Sequence, residues 1–206
     1  MPPAATTLQN GERPMATPNP LIRFHYEDYQ ALPESMSARY ELLDGDLLMV
    51  PAPTVMHQRI SRNLGFILLQ FVRAHDLGEI FYAPIDVVFG AGDDREITQP
   101  DILFVAKTQS HIITPKEIQG APALIVEILS ERTKARDRSY KKILYGRYGV
   151  REYWIVDPDG QTVEVYTLGA GGFELAQSYS RDGILTSGIL PGLRITLAEV
   201  FQTAEC

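Results

Sequence analysis

The sequence predicts a single mixed α/β (α+β) domain, and three observations support that fold class. Apolar residues recur at helical spacing across residues 60–71, which indicates a long amphipathic helix. Residues 123–129 form a nearly continuous apolar run, which is typical of a central strand covered on both faces. The chain has 206 residues, of which 45% are hydrophobic and 22% charged, enough for one sizeable core. Strands interspersed with helices therefore predict helices packed on a mixed sheet.

The individual elements follow from propensity, turn residues and capping signals. Asp44-Gly45 lies between two β-prone runs and is a strong hairpin signal, because both residues tolerate positive φ. Thr54 is a good N-cap, and Gly149 ends a basic helical segment. Helices are predicted at 26–32, 55–75 and 134–148, with one helical turn at 115–120 and a loop at 90–96. Strands are predicted at 39–43, 46–50, 79–82, 85–89, 101–105, 123–129, 151–156, 162–167 and 173–179, with a last strand and helical turn within 189–201.

Residues 24–206 are predicted to form the single domain, preceded by a disordered leader over residues 1–23. The leader is rich in Pro, Ala and Thr and lacks the basic-then-apolar pattern of a signal peptide. No run of eighteen apolar residues occurs, so no membrane-spanning helix is expected. The single cysteine, Cys206, allows neither an intrachain disulfide nor a Cys-x-x-Cys motif, and a reducing, cytoplasmic location is predicted.

Acidic side chains inside predicted strands are the most informative feature for function. Glu127 stands within the apolar run, Asp101 opens an apolar strand, and Glu41 lies in the hairpin. Acidic residues are depleted from strands and rarely buried unless paired, because an isolated buried charge is costly. Carboxylates that converge at strand ends would form an oxygen-rich site for Mg²⁺, which keeps its other positions for water and phosphate. Ion pairs with Arg or Lys are the alternative interpretation.

Positive charge is concentrated in one segment of an acidic chain. The net charge is −7, yet residues 131–151 contain eight Lys and Arg against two acidic residues. The acidic balance argues against a general nucleic-acid coat. A basic segment beside metal-binding carboxylates is nevertheless what phosphodiester hydrolysis requires. A solvated helix face is the alternative for this segment.

Other catalytic motifs are not apparent in the sequence. The four histidines have no zinc-ligand spacing. His57, in the first turn of the long helix, could cap or approach the site, although a structural role is favoured. The sequence contains neither a Gly-rich phosphate loop nor a nucleophile elbow.

Short motifs occur in a recognisable order along the chain. They are YELLDG at 40–45, PTVMH at 53–57, QPD at 99–101, VEILS at 126–130, RD at 136–137, Lys141, LY at 144–145, GV at 149–150 and EYWIVD at 152–157. Over residues 24–201 this order resembles the Uma-two (Uma2) family of restriction endonucleases, which belongs to the PD-(D/E)XK nuclease superfamily. The resemblance implies a restriction-endonuclease-like core, with a mixed central β-sheet, flanking helices and extra β-hairpins. It also implies Mg²⁺-dependent cleavage of DNA.

The resemblance assigns site residues one by one. Asp101 matches the first acid of the superfamily motif, Glu127 matches the second, and Glu41 matches the upstream acid of the hairpin. Two residues after Glu127, where the superfamily has lysine, this chain has Leu129. Lys141, on the following helix, matches a lysine that recurs in the family and would bring its ammonium to the site.

These features together predict an endonuclease that uses Mg²⁺ (or Mn²⁺) to hydrolyse DNA phosphodiester bonds. Asp101 and Glu127 would hold the metal, and Glu41 would complete the acidic site. Lys141 would stabilise charge on the phosphate or orient the attacking water. DNA is the predicted partner, and a homodimer is consistent with cleavage of both strands. Three cations near the start of the basic helix are predicted to contact the DNA backbone: Arg132, Lys134 and Arg136.

Two alternatives remain open from the sequence. The chain could be a non-catalytic nuclease-fold module for DNA binding or assembly, with structural ion pairs in place of an active site. The displaced lysine and the acidic net charge favour that interpretation. Another phosphate ester as substrate fits the same residues. Convergence of Asp101, Glu127 and Lys141 on one position would favour the nuclease over the module.

Overall fold

The computed structural model describes residues 23–33 and 39–202, so residues 1–22 of the predicted leader lie outside the described residues. The helices are α1 Tyr26–Gln30, α2 Val55–Ala74, α3 Lys134–Arg136, α4 Lys142–Tyr148 and α5 Leu197–Val200. A π-helical turn, Asp137–Lys141, joins α3 to α4, and 3₁₀ turns occupy Gly92–Asp94 and Lys107–Ile112. The strands are β1 Arg39–Leu43, β2 Asp46–Val50, β3 Gly78–Tyr82, β4 Val87–Phe89, β5 Glu96–Thr98, β6 Ile102–Ala106, β7 Ile118–Gln119, β8 Leu124–Ile128, β9 Glu152–Asp157, β10 Thr162–Gly169, β11 Gly172–Ser180, β12 Ile184–Thr186 and β13 Arg194–Thr196.

These strands form three sheets. The largest has six strands in the order β11-β10-β9-β8-β6-β3, and only β8 and β9 run parallel within it. A second sheet has the order β2-β1-β5-β4-β7, with β4 and β7 parallel, and β12 pairs with β13 in the third. Mixed sheets with flanking helices confirm the predicted α/β (α+β) fold class. In the described part of the chain, every helix is too short or too polar to cross a bilayer.

Two apolar layers cover the faces of the six-stranded sheet. On one face, α2 packs residues such as Leu64 against Val126 of β8. On the other face, α4 and the second sheet pack residues such as Leu144 against Ile125 of β8. Because successive strand residues point to opposite faces, Glu127 shares the α4 side with Ile125. A buried carboxylate therefore lies beside the helix that follows it in the chain.

The elements with local signals form where they are predicted. Asp44 and Gly45 have φ values of 48° and 78°, as the tight turn of the β1–β2 hairpin requires. Thr54 caps α2, and its Oγ1 accepts a hydrogen bond from the backbone N of His57 at 3.2 Å. Gly149 ends α4 in the left-handed conformation, with φ 89°.

Three local predictions are wrong, and tertiary pairing explains two of them. The predicted helical turn at 115–120 contains strand β7, whose Ile118 pairs with Val87 of β4. The predicted loop at 90–96 contains a 3₁₀ turn and the first residue of β5, whose Ile97 lies between β1 and β4. The predicted basic helix at 134–148 is interrupted by the π-helical turn.

Candidate active site

The four predicted catalytic residues line one cavity of about 990 Å³. Glu41 comes from β1, Asp101 immediately precedes β6, and Glu127 belongs to β8. Lys141 ends the π-helical turn that leads into α4. Residues from both large sheets and from the α3–α4 segment are thus brought together, although up to 100 positions separate them in the chain.

Lys141 lies at the centre of a buried ion-pair cluster. Its Nζ is 2.8 Å from Glu41 Oε1, 3.0 Å from Glu127 Oε1 and 3.4 Å from Asp137 Oδ1. Only 5% of the Lys141 side chain is exposed. Burial alone would lower the pKa of Lys141, but the carboxylates, Glu127 foremost, raise that pKa well above its ordinary value. The ammonium is therefore charged and offsets the buried negative charge around it.

Asp101 is held through one of its two carboxylate oxygens. Oδ2 accepts hydrogen bonds from the backbone N of Ile128 at 2.7 Å and from Nε2 of His57 at 3.1 Å. The pairing of Ile102 with Val126 places Asp101 beside Glu127 at the ends of adjacent strands. Within residues 23–33 and 39–202, no group donates a hydrogen bond to Oδ1, so this oxygen is available on the cavity wall.

Glu127, like Asp101, is held through one of its two carboxylate oxygens. Its Oε1 accepts hydrogen bonds from Lys141 Nζ at 3.0 Å and from the Tyr145 hydroxyl at 2.7 Å, while no described residue donates to Oε2. Burial raises the pKa of Glu127 well above its ordinary value, against the opposing effect of Lys141. Burial likewise raises the pKa of Asp137, whose Oδ1 is buried without a hydrogen-bond partner among the described residues. The site therefore favours a bound positive charge beyond that of its own side chains.

The π-helical turn contains the lysine that faces the sheet. Asp137 and Lys141, its first and last residues, are both buried, and Tyr145 continues the same inward side. The Lys142 side chain lies outside the ion-pair cluster, with its ammonium 3.9 Å from the centroid of the Tyr166 ring. Widened helical turns of this kind occur frequently at functional sites.

The three cations predicted to contact DNA occupy different environments. Arg132 is exposed and lines the cavity, and Lys134 is exposed outside it. Arg136 instead turns toward the acidic cluster, with Nη1 3.6 Å from Glu41 Oε2 and 25% of its side chain exposed. Arg132 is thus the one of the three that the structure brings to the cavity wall.

The donor set is compatible with a hard divalent cation. Among the described residues, no group of three or more His, Cys, Asp or Glu is placed to hold a metal ion. Mg²⁺ requires fewer protein ligands than that, because it binds through one or two carboxylates and fills its other positions with water and phosphate. The unpaired oxygens of Asp101 and Glu127 supply two such ligands. The cavity is lined by the cations of Arg39, Arg132 and Lys141 and by six carboxylates, those of Glu41, Asp101, Glu127, Glu131, Asp137 and Asp159.

The sequence analysis did not assign a functional role to two residues that contact the predicted site, Asp137 and Tyr145. Asp137 and Tyr145 fall in the RD and LY motifs and are spaced four residues on either side of Lys141. This spacing places Asp137, Lys141 and Tyr145 on one side of a helix, and it could have identified Asp137 and Tyr145 as part of the site. For His57 a structural role was favoured over an approach to the site, and its ring contacts Asp101.

The fold is similar to that of a protein with a solved structure. It matches the crystal structure of a putative nuclease belonging to DUF820 from Anabaena variabilis, with a TM-score of 0.71 over 86% of this chain and 97% of that chain. The sequence identity is 21%, so this likeness concerns the fold. The chain belongs to the Uma2 family, described as "Putative restriction endonuclease", whose profile matches residues 26–198. This match confirms the predicted family, while no curated protein matches the chain.

Proposed function

We propose that this protein is a Mg²⁺-dependent endonuclease that hydrolyses DNA phosphodiester bonds. One observation carries the proposal: Asp101 and Glu127 lie on the same cavity wall, each held through one oxygen and with the other oxygen unpaired. Such carboxylates are ready to bind a cation without first breaking their own hydrogen bonds. Membership of the Uma2 family and the likeness to a nuclease fold support the same class of activity.

Each residue of the site has a distinct task in this proposal. Asp101 and Glu127 would hold Mg²⁺ (or Mn²⁺), which when bound supplies Lewis-acid stabilisation of charge on the phosphate. Glu41 holds Lys141 Nζ through Oε1, and Gln99 donates its backbone N–H to the same oxygen at 3.0 Å. Arg132 would contact a neighbouring phosphate of the DNA backbone from the cavity wall.

Lys141 is placed to fix Glu127 and to approach the substrate. Its three nearest partners are carboxylates, and the contact with Asp137, at 3.4 Å, is the longest. That contact is the one most readily exchanged for a phosphate oxygen, since the two shorter contacts would remain. In this way Lys141 would perform the charge stabilisation that Leu129 cannot provide.

Incubation of the purified protein with supercoiled plasmid and with oligonucleotides tests the proposal. Cleavage is expected with Mg²⁺ or Mn²⁺ and not with EDTA, and Asp101→Asn should abolish it. Asp159→Asn is a matched control, because Asp159 lines the same cavity but is exposed and outside the cluster. Equal cleavage by wild type and Asp101→Asn, or cleavage that is unaffected by EDTA, would contradict the proposal.

A non-catalytic nuclease-fold module is the second candidate, and one observation favours it. The contacts of Lys141 with Glu41, Glu127 and Asp137 form a cluster in which the ammonium is already surrounded by carboxylates. A module of this kind would bind DNA in a gel-shift assay and leave the plasmid intact with either metal. The homodimer remains a prediction, which sedimentation velocity with and without DNA would test.

A further inference from the structure

His57 makes a contact that the proposed chemistry does not yet use. Its Nε2 is 3.1 Å from Asp101 Oδ2, and only 13% of the His57 side chain and 17% of the Asp101 side chain are exposed. The ring lies in the first turn of α2, where the backbone N of His57 is bound by the Thr54 cap. Two turns further along, Leu64 anchors the helix in the core. The ring is therefore presented to Asp101 by a fixed element.

The hydrogen-bond partners define what the ring does. A carboxylate oxygen can only accept, so Nε2 must donate its hydrogen to Oδ2 of Asp101. The same oxygen also accepts from the backbone N of Ile128 at 2.7 Å. Nδ1 of His57 is buried and has no hydrogen-bond partner in the described ranges, so the contact with Asp101 is the polar interaction of this ring.

We propose that His57 is a positioning residue for the divalent-cation site, which holds Asp101 so that its second oxygen faces the cavity. The inference rests on the proposed function, because it assumes that Asp101 is a metal ligand. Two donors from different elements, α2 and β8, fix the plane of the carboxylate, whereas Ile128 alone would allow it to rotate. Partners of this type, one step behind a metal ligand, typically change metal affinity by about 10–100-fold when they are removed.

The test is Mn²⁺ binding by isothermal calorimetry and electron paramagnetic resonance, without DNA. His57→Ala should weaken Mn²⁺ binding by about 10–100-fold. His57→Gln should recover most of that loss, because the amide Nε2 of glutamine can donate at a position close to that of the imidazole Nε2. His75→Ala is the matched control, since His75 lies at the other end of α2 and contacts the backbone O of Phe71 at 2.9 Å. The Mn²⁺ affinity of His75→Ala should equal that of the wild type.

Asp101→Asn separates the failure of this inference from the failure of the proposed function. If Asp101→Asn binds Mn²⁺ as the wild type does, the metal assignment is wrong, and the positioning role of His57 is wrong as well. If Asp101→Asn loses binding but His57→Ala keeps the wild-type affinity, only the positioning role is overturned. Equal losses in His57→Ala and His57→Gln, with unchanged circular dichroism, would also overturn it, because the restored donor would then have no effect.

Discussion

Replacing Lys141 with methionine should destabilise the fold by about 3–5 kcal/mol, because the change removes one partner from a buried ion-pair cluster. The Lys141 side chain is 5% exposed, and its Nζ is within 3.4 Å of three carboxylates. Methionine is also long and unbranched, so it fills much of the same space and the loss is mainly electrostatic. Glu41 and Glu127 would be left buried without their nearest cation.

Urea unfolding in EDTA, followed by circular dichroism, measures this loss. With a slope of about 2 kcal/mol per molar urea, the midpoint should fall by about 1.5–2.5 M. Lys142→Met is the matched control, because the Lys142 ammonium lies over the Tyr166 ring and such a partly exposed contact contributes about 0.5–1 kcal/mol. Adding Glu127→Gln to Lys141→Met should recover part of the lost stability, since it removes one buried charge that has no nearby cation. A cost below about 1 kcal/mol for Lys141→Met, typical of a surface pair, would refute the buried cluster.

Three further predictions test separate parts of the structure. Tyr145→Phe removes a 2.7 Å hydrogen bond to a buried carboxylate and should cost about 1.5–3 kcal/mol in the same urea assay, whereas an unchanged midpoint would mean that the phenol does not make this bond. Arg132→Ala and Lys134→Ala should each flatten the dependence of log DNA affinity on log salt by about 0.9, and an unchanged slope would identify a solvated helix face. Burial, and to a smaller extent the hydrogen bond to Glu117, raises the pKa of Tyr26 from 10.0 to about 12. The neutral phenol is favoured in the fold, so its contribution to stability is complete below pH 10 and is lost as pH rises toward about 12. Wild type should therefore lose stability relative to Tyr26→Phe across that window, and parallel alkaline unfolding curves would contradict this.

Elements with strong local signals were predictable, and elements defined by tertiary pairing were not. The Asp44-Gly45 turn and the Thr54 cap depend on residues within a few positions, and both occur as predicted. Strands β5 and β7 have three and two residues, too few to show an alternating pattern. β7 is ordered because Ile118 is fully buried and its backbone N bonds the O of Asp86 at 2.8 Å, a contact that the local sequence does not reveal.

The site was predictable in its carboxylates and less so in their surroundings. Glu127 stands out because an acid within an apolar strand is chemically unusual, and it lines the cavity. The pairing of Arg136 with Glu41 joins residues that are 95 positions apart, so the local sequence carries no signal for it. The contact of His57 with Asp101 joins residues 44 positions apart and depends on how α2 packs on the sheet.

An anomalous difference map from crystals grown with Mn²⁺ is the most direct test of the claim that Asp101 and Glu127 share one divalent cation. The proposed function predicts a single strong peak about 2 Å from Asp101 Oδ1 and from Glu127 Oε2. The bonds from His57 to Asp101 and from Lys141 to Glu127 should persist beside it. A map without a peak at these oxygens, or with Mn²⁺ bound only elsewhere on the protein, would contradict the claim.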